Sequence, residues 1–209
     1  MQTLIKNYLY LFLLLFPIEV NSSDYVQVPQ NEIMDFYSIV SEVSPKRISQ
    51  DINRLANFGT RHTLSEKVSD QRGIGAATRW IYSEFKKISD LCNGCIEVMY
   101  ISDSVSGESR IPSLTEIVNV IAIQRGSERP NDFVMMSGDI DSRVTDPLDG
   151  VSDSPGANDN ASGMAGVLEA ARVLSRREFA SSIIYAGLSG EEQGLFGGKI
   201  VAQHAIKHG

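Results

Sequence analysis

The feature of this sequence that most constrains its fold is an alternation of short apolar segments and helical segments in its second half. Residues 132–138 (DFVMMSG) and 182–189 (SIIYAGLS) are short and apolar, as buried strands are. Residues 162–175 and 199–206 follow them with helical spacing of their apolar positions. This alternation predicts an α/β fold in which helices cover both faces of a mixed, mostly parallel sheet, that is, a three-layer α/β/α arrangement.

The first half of the chain predicts three helices followed by two strands. Residues 31–43, 44–59 and 73–88 repeat apolar side chains at helical spacing, and the second of them has Ser44 as N-cap and Pro45 at its first position. Residues 95–101 and 116–124 are β-branched and short. A chain of 209 residues with no visible second core fits one domain.

The first 23 residues have the composition of a secretory signal peptide. Lys6 precedes an apolar run from Tyr8 to Ile18, and a short polar stretch follows. The alternative is a short membrane anchor, but a spanning helix needs about 20 apolar residues. We expect residues 1–23 to be removed and residues 24–209 to be secreted or periplasmic, with no stable membrane association.

The two cysteines, Cys92 and Cys95, stand in a C-x-x-C arrangement. This spacing also occurs in redox motifs and in half zinc sites. A zinc site needs two further Cys or His residues nearby, and a redox pair precedes a helix, whereas residues 95–101 alternate like a strand. In an exported protein the pattern therefore predicts a structural Cys92–Cys95 disulfide.

Acidic residues gather where the predicted strands end. Asp139 and Asp141 follow one strand, Glu191 and Glu192 follow another, and Asp159 lies in a loop just before a helix. Ligands of open α/β sheets bind beyond the carboxyl ends of the strands. The simplest partner for clustered carboxylates is one or more divalent cations, since without a cation some of them would stay protonated.

The alternative is that these acids are solvated loop residues and helix caps, a role that Asp and Asn often have. We accept this interpretation for Asp146, Asp149 and Asp153. The net charge of −7, without any basic block, argues against a nucleic-acid partner.

Three segments together resemble one known family: SGDIDSR, PGANDNASGMAGVLEAARVL and YAGLSGEEQGLFGG, in the family's order and spacing. The chain from about Asn57 onwards is similar to the co-catalytic, di-zinc aminopeptidases of metallopeptidase clan MH, whose relatives include vacuolar aminopeptidases, glutamate carboxypeptidases and glutaminyl cyclases. The resemblance implies a zinc-exopeptidase-like fold.

The resemblance also implies a role for each acid. By this similarity Asp159 bridges two metal ions, Glu192 binds one of them, and Glu191 is the general base on the attacking water. Asp141 corresponds to the aspartate that orients the first metal ligand. That first ligand is usually histidine, and this sequence has Asp139 in its place.

The implied activity is hydrolysis of the N-terminal residue of a peptide by a secreted metallo-aminopeptidase with two divalent ions. Zinc is the expected metal, and the carboxylate of Asp139 makes manganese an alternative. Two functions compete with this one: a metal-poor binding relative of the same fold, and a glutaminyl cyclase with a single zinc. Metal content separates the three hypotheses. Side-chain specificity and oligomeric state are left open by the sequence.

Histidines are few, and none is predicted to bind metal. His204 and His208 have the i, i+4 spacing of a zinc-binding helix, but Ala205 stands where that motif needs a glutamate. They are therefore predicted to be surface residues. His62 lies in a loop, and neither the pattern nor the resemblance assigns it a role.

In the resembling family an aspartate and a histidine ligand follow later in the chain. No aspartate follows Glu192 here. We therefore expect residues 24–209 to be the N-terminal part of a longer zinc-exopeptidase domain. Alone, this part should bind metal weakly, hydrolyse little and self-associate.

Overall fold

A computed structural model of the chain describes residues 30–208. The predicted signal peptide, residues 1–23, lies outside the described residues. The chain divides between Tyr37 and Ser38 into two units. Of the first unit, residues 30–37 are described, and they form helix. The second unit, residues 38–208, contains the sheet and the candidate site.

Five helices and four strands make up the described chain. In chain order they are α1 (Gln30–Ser41), α2 (Pro45–Ala56), α3 (Gly73–Leu91), β1 (Ile96–Val105), β2 (Thr115–Gln124), β3 (Arg129–Asp139), α4 (Ser162–Leu174), β4 (Ser181–Leu188) and α5 (Phe196–His208). All segments predicted as helix or strand are found as such. The Ser44 hydroxyl accepts a hydrogen bond from the Arg47 N–H, which confirms the predicted cap of α2.

The strands form one mixed sheet in the order β1-β2-β4-β3. The α/β class and the mixed sheet are confirmed, but the expectation of a mostly parallel sheet is wrong for these four strands. β1 pairs antiparallel with β2, and β2 pairs antiparallel with β4, so that only β3 and β4 are parallel. The reason lies in the connections, because residues 106–114 join β1 and β2 as a hairpin, whereas α4 provides the crossover that a parallel pair needs.

Apolar side chains fill both faces of the sheet. On one face, strand residues such as Val120 and Tyr185 pack with α2, α3 and α4. On the other face, strand residues such as Ile121 and Ala186 pack with Ile200 of α5. Successive strand residues thus alternate between two cores, as the two-residue period of a strand requires. The three-layer arrangement is confirmed.

Helix α4 lies very close to β3. A Cβ atom on Gly138 would stand 2.6 Å from the main-chain nitrogen of Met164, so only glycine fits at this point. The close approach brings the start of α4, and the loop before it, to the end of β3. The loop that carries Asp159 is thereby fixed beside Asp139.

The predicted disulfide between Cys92 and Cys95 is present at the turn between α3 and β1, where the two Cα atoms are 5.5 Å apart. Within residues 30–208, every helix is too short or too polar to cross a bilayer.

Candidate active site

The parallel strands β3 and β4 end side by side. Asp139 is in register with Leu188, and the main-chain N–H of Ile140 donates to the Leu188 carbonyl at 2.6 Å. The segment after β4 begins at Ser189, whose main-chain N–H donates to the Asn119 side chain on β2 at 2.9 Å. The acids that follow β3 and those that follow β4 therefore leave the same edge of the sheet.

Asp141 connects these two segments directly. Its buried carboxylate accepts hydrogen bonds from the main-chain N–H groups of Glu191 and Glu192, both at 3.2 Å. It also accepts one from the Thr63 hydroxyl at 3.0 Å. Burial raises the pKa of Asp141 to about 7, although these three donors oppose the shift. Asp141 thus orients the main chain of the glutamate pair.

Asp159 lies in the turn Ala157–Ala161 that leads into α4. Its backbone is extended, with φ −115° and ψ 99°, and the Asp159–Asn160 peptide bond is cis. The side-chain nitrogen of Asn160 lies 3.5 Å from a carboxylate oxygen of Asp139. Asn160 therefore faces the candidate site.

The carboxylates of the site affect one another's pKa. The pKa of Asp139 is raised by burial first, and then by the negative charges of Asp159 and Glu192. The pKa of Glu191 is raised by burial and by Asp139, Glu192 and Asp159, with Arg143 acting in the opposite direction. The structure therefore brings four of the predicted site residues into one electrostatic cluster, and Asp141 stands behind them.

An arginine that the sequence analysis did not identify, Arg143, faces this cluster. The Nε of Arg143 donates to the Glu192 carboxylate at 2.6 Å. A second arginine, Arg110 in the loop between β1 and β2, donates to the Glu192 main-chain carbonyl at 2.6 Å. Arg143 is the last residue of the segment SGDIDSR, so the sequence shows that it is close to the acids after β3. The sequence gives no sign of its pairing with Glu192, which lies 49 positions later.

A buried polar network behind the site was also missed. The Thr63 hydroxyl lies 3.2 Å from the Gln193 side-chain oxygen, and the Gln193 amide nitrogen donates to the Pro147 carbonyl at 2.9 Å. The Nε2 of His62 is 3.1 Å from the same carbonyl, while its Nδ1 accepts from the Leu64 N–H. His62 thus ties the loop after β3 to the residue that follows the glutamate pair. Burial lowers the pKa of His62, so it is neutral at pH 7.

The donor chemistry of the cluster suits a divalent cation. Asp139, Asp159 and Glu192 offer carboxylate oxygens, and their mutual repulsion is the kind that a bound cation relieves. Within residues 30–208, however, no three His, Cys, Asp or Glu side chains come together closely enough to hold a metal ion. The described residues therefore fit a metal by donor type, without forming a closed coordination sphere.

Asp146, Asp149 and Asp153, which were predicted to be ordinary loop residues, make the contacts of such residues. Asp146 and Asp149 accept hydrogen bonds from main-chain N–H groups two or three residues further on, and Asp153 pairs with Arg72 at 2.6 Å. His204 and His208 are exposed, with ring centroids 4.4 Å apart on α5, as surface histidines would be.

The fold is that of solved zinc-aminopeptidase-like structures. The structure is similar to LapB of Legionella pneumophila, with a TM-score of 0.67 and 20% identity over 87% of this chain and 44% of LapB. It is also similar to a glutaminyl cyclase of Fimbriiglobus ruber, with a TM-score of 0.62 and 17% identity over 79% of this chain and 56% of the other. At these identities the likeness shows the fold.

Sequence comparison finds a family whose profile matches part of the chain. Residues 119–208 match the profile of peptidase family M28, which confirms the predicted resemblance to this group of metallopeptidases. A probable zinc metalloprotease of Pyrenophora teres f. teres is 48% identical over 176 residues, which are 84% of this chain and 36% of that protein. Another, from Leptosphaeria maculans, is 45% identical over 83% of this chain and 40% of its own length. The chain thus spans two fifths or less of the length of these relatives.

Proposed function

We propose that this chain is the part of a secreted, zinc-dependent M28 exopeptidase that carries the general base and three carboxylate ligands, and that the whole protein is an aminopeptidase. The observation that carries the proposal is the position of Asp141. Its one buried carboxylate binds the main-chain N–H groups of both Glu191 and Glu192, next to Asp139 and Asp159. An arrangement that fixes two adjacent glutamates at a strand end suits hydrolysis better than simple solvation of loop acids.

Asp159 and Glu192 would hold the metal ions, with Asp139 at the position of the family's usual histidine. When bound, such ions supply Lewis acidity that activates water and polarises a carbonyl. Glu191 would take a proton from the attacking water and deliver it to the leaving amine. Burial raises the pKa of Glu191, which suits both steps, since a base with a pKa nearer to the working pH also returns the proton more readily.

The substrate would be a peptide with a free amino terminus. The motifs around Asp139, Asp159 and Glu191 resemble those of aminopeptidases, which release the first residue of a peptide and not the last.

The test uses the full-length secreted protein and aminoacyl-p-nitroanilides, with zinc or manganese added after chelation. Glu191→Gln should bind metal as the wild type does and lose turnover by a factor of about 100 or more, because it keeps the side-chain shape but not the base. Glu178→Gln is the matched control and should keep full activity. Glu178 is an exposed glutamate that precedes β4, whereas Glu191 follows it. Near-normal turnover by Glu191→Gln would show that Glu191 is not the general base.

A second candidate is a metal-poor binding relative. It is favoured by the Arg143–Glu192 ion pair, which already balances one carboxylate. Elemental analysis of the purified protein separates the possibilities: two metal ions support the aminopeptidase, one supports a cyclase-like enzyme, and none supports the binding protein.

A further inference from the structure

Arg61 is a fully buried arginine in the loop between α2 and α3. Its guanidinium donates four hydrogen bonds of 2.7–3.0 Å, and all four acceptors are main-chain carbonyls: Leu55, Ile140, Pro155 and Gly156. A charged group withdrawn from water is costly unless its donors are satisfied. Here they are satisfied by peptide carbonyls from three separate segments, rather than by a carboxylate.

Two of these segments carry the candidate ligands. Ile140 stands between Asp139 and Asp141. Pro155 and Gly156 directly precede the turn that contains Asp159. One planar group therefore holds the end of β3 at a fixed distance from the loop of Asp159.

The main chain of Arg61 adds to the same contact. Its N–H lies 3.3 Å from the Ser142 hydroxyl, and its carbonyl accepts from the Ser142 N–H at 3.4 Å. The Ser142 hydroxyl in turn donates to the Ser154 carbonyl at 2.6 Å. Both the backbone and the side chain of Arg61 thus join the segment after β3 to the segment before Asp159.

The loop is packed directly against the guanidinium. Gly156 has φ +44°, and a Cβ atom there would lie 3.0 Å from Nη2 of Arg61 and 2.5 Å from the Asp159 carbonyl oxygen. A loop that follows such a tight path cannot shift towards β3 without displacing Arg61. The separation of the two acidic segments therefore depends on this side chain.

The contrast with Arg172 indicates what is particular to Arg61. Arg172 on α4 pairs with three carboxylates, Asp51, Glu84 and Glu169, so it joins helices through ion pairs. In contrast, the guanidinium nitrogens of Arg61 donate to main-chain carbonyls. A lysine at position 61 would keep the charge, but its three donors on one nitrogen cannot span the same carbonyls.

We propose that Arg61 is a positioning residue that sets the spacing between Asp139 and Asp159 and thereby the affinity of the site for a divalent metal. This inference rests on the proposed function, in which these carboxylates bind the metal. Arg61 itself touches neither metal nor substrate.

The test is Arg61→Lys in the full-length protein, with Arg172→Lys as the matched control. Zinc binding is measured by calorimetric titration of the chelator-treated protein. Hydrogen exchange of residues 155–161 is followed in the metal-free state. We expect Arg61→Lys to bind zinc about tenfold or more weakly, as loss of outer contacts around metal ligands does. We also expect faster exchange in that loop. Arg172→Lys should lower the melting temperature, while zinc affinity and loop exchange stay as in the wild type.

The outcomes separate this inference from the proposed function. If the wild type binds no zinc, the proposed function fails, and the hydrogen exchange still decides whether Arg61 holds the loop. If Arg61→Lys binds zinc like the wild type with an equally protected loop, the positioning role is overturned. Failure of Arg61→Lys to fold would overturn it too, because the arginine would then serve the stability of the whole chain.

Discussion

The carboxylate of Glu192 is held by the guanidinium of Arg143, with 2.6 Å between Oε2 and Nε. Both side chains are partly buried, so this ion pair is screened less than a surface pair would be. The acidic edge of the sheet thus contains a positive partner of its own. A metal ion that binds Glu192 must share this carboxylate with Arg143 or displace the arginine.

Removal of Arg143 should therefore strengthen metal binding. We expect Arg143→Gln to lower the zinc dissociation constant about three- to tenfold, which corresponds to the roughly 1 kcal/mol of a partly exposed ion pair. The measurement is calorimetric titration of the chelator-treated full-length protein. Arg110→Gln is the control, because Arg110 donates to the main-chain carbonyl of Glu192 and should have little effect. Weaker binding by Arg143→Gln would show that Arg143 serves to orient Glu192 instead.

Asp139 offers a test of metal preference. Compared with the family's usual histidine, a carboxylate adds one negative charge, which lowers the Lewis acidity of a bound metal and favours manganese over zinc. We expect Asp139→His to shift the pH optimum of the full-length protein to lower values and to raise zinc-supported activity relative to manganese-supported activity. Activity is measured from pH 5 to pH 10 with each metal. Identical profiles would show that Asp139 does not contact the metal.

Glu169 on α4 should contribute stability that depends on pH. Its side chain is buried; it accepts from the Ser44 N–H at 2.7 Å and pairs with Arg47. Burial alone would raise its pKa, but Arg47 and the Ser44 N–H outweigh burial, so the pKa is lowered. The stabilisation is therefore complete above the unfolded value near 4.5 and is lost as the pH falls through the lower folded value.

Glu169→Gln should accordingly lower the free energy of unfolding by about 2 kcal/mol at pH 7 and by much less at pH 3. Urea unfolding at the two pH values measures this difference. Glu97→Gln removes an exposed ion pair with Arg125 and is the control, with an expected change within about 0.5 kcal/mol. An equal loss at both pH values would mean that packing, rather than charge, is what Glu169 contributes.

The strand β3 lies at one edge of the described sheet and has exposed apolar side chains. Val134 is 60% exposed, and Phe133, Met135 and Met136 are exposed as well. Unprotected apolar edges associate with other chains. Residues 24–209 expressed alone should therefore self-associate, and Val134→Lys should reduce the association. Light scattering during gel filtration at several concentrations measures it. Ile206→Lys, on the exposed side of α5, is the control and should leave the association unchanged.

The acidic residues of the candidate site were predictable from the sequence because their positions relative to the neighbouring strands can be read from it. Asp139 and Glu191 come directly after apolar strands, and the ends of parallel strands meet at one edge of a sheet. The disulfide followed in the same way from the three-residue separation of Cys92 and Cys95. The direction of β1 and β2 was missed, because apolar periodicity marks a strand without telling which neighbour it pairs with or in which direction.

The sequence by itself thus determined the elements, the two layers of helices and the identity of the acidic residues, since these depend on short-range spacing and residue type. Only the tertiary structure decided which charges and carbonyls meet. Arg143 reaches Glu192 across 49 residues, and Arg61 reaches Gly156 across 95. Such contacts depend on how loops pack after the sheet has formed. A single arginine in a loop carries no periodic signal of what it will bind.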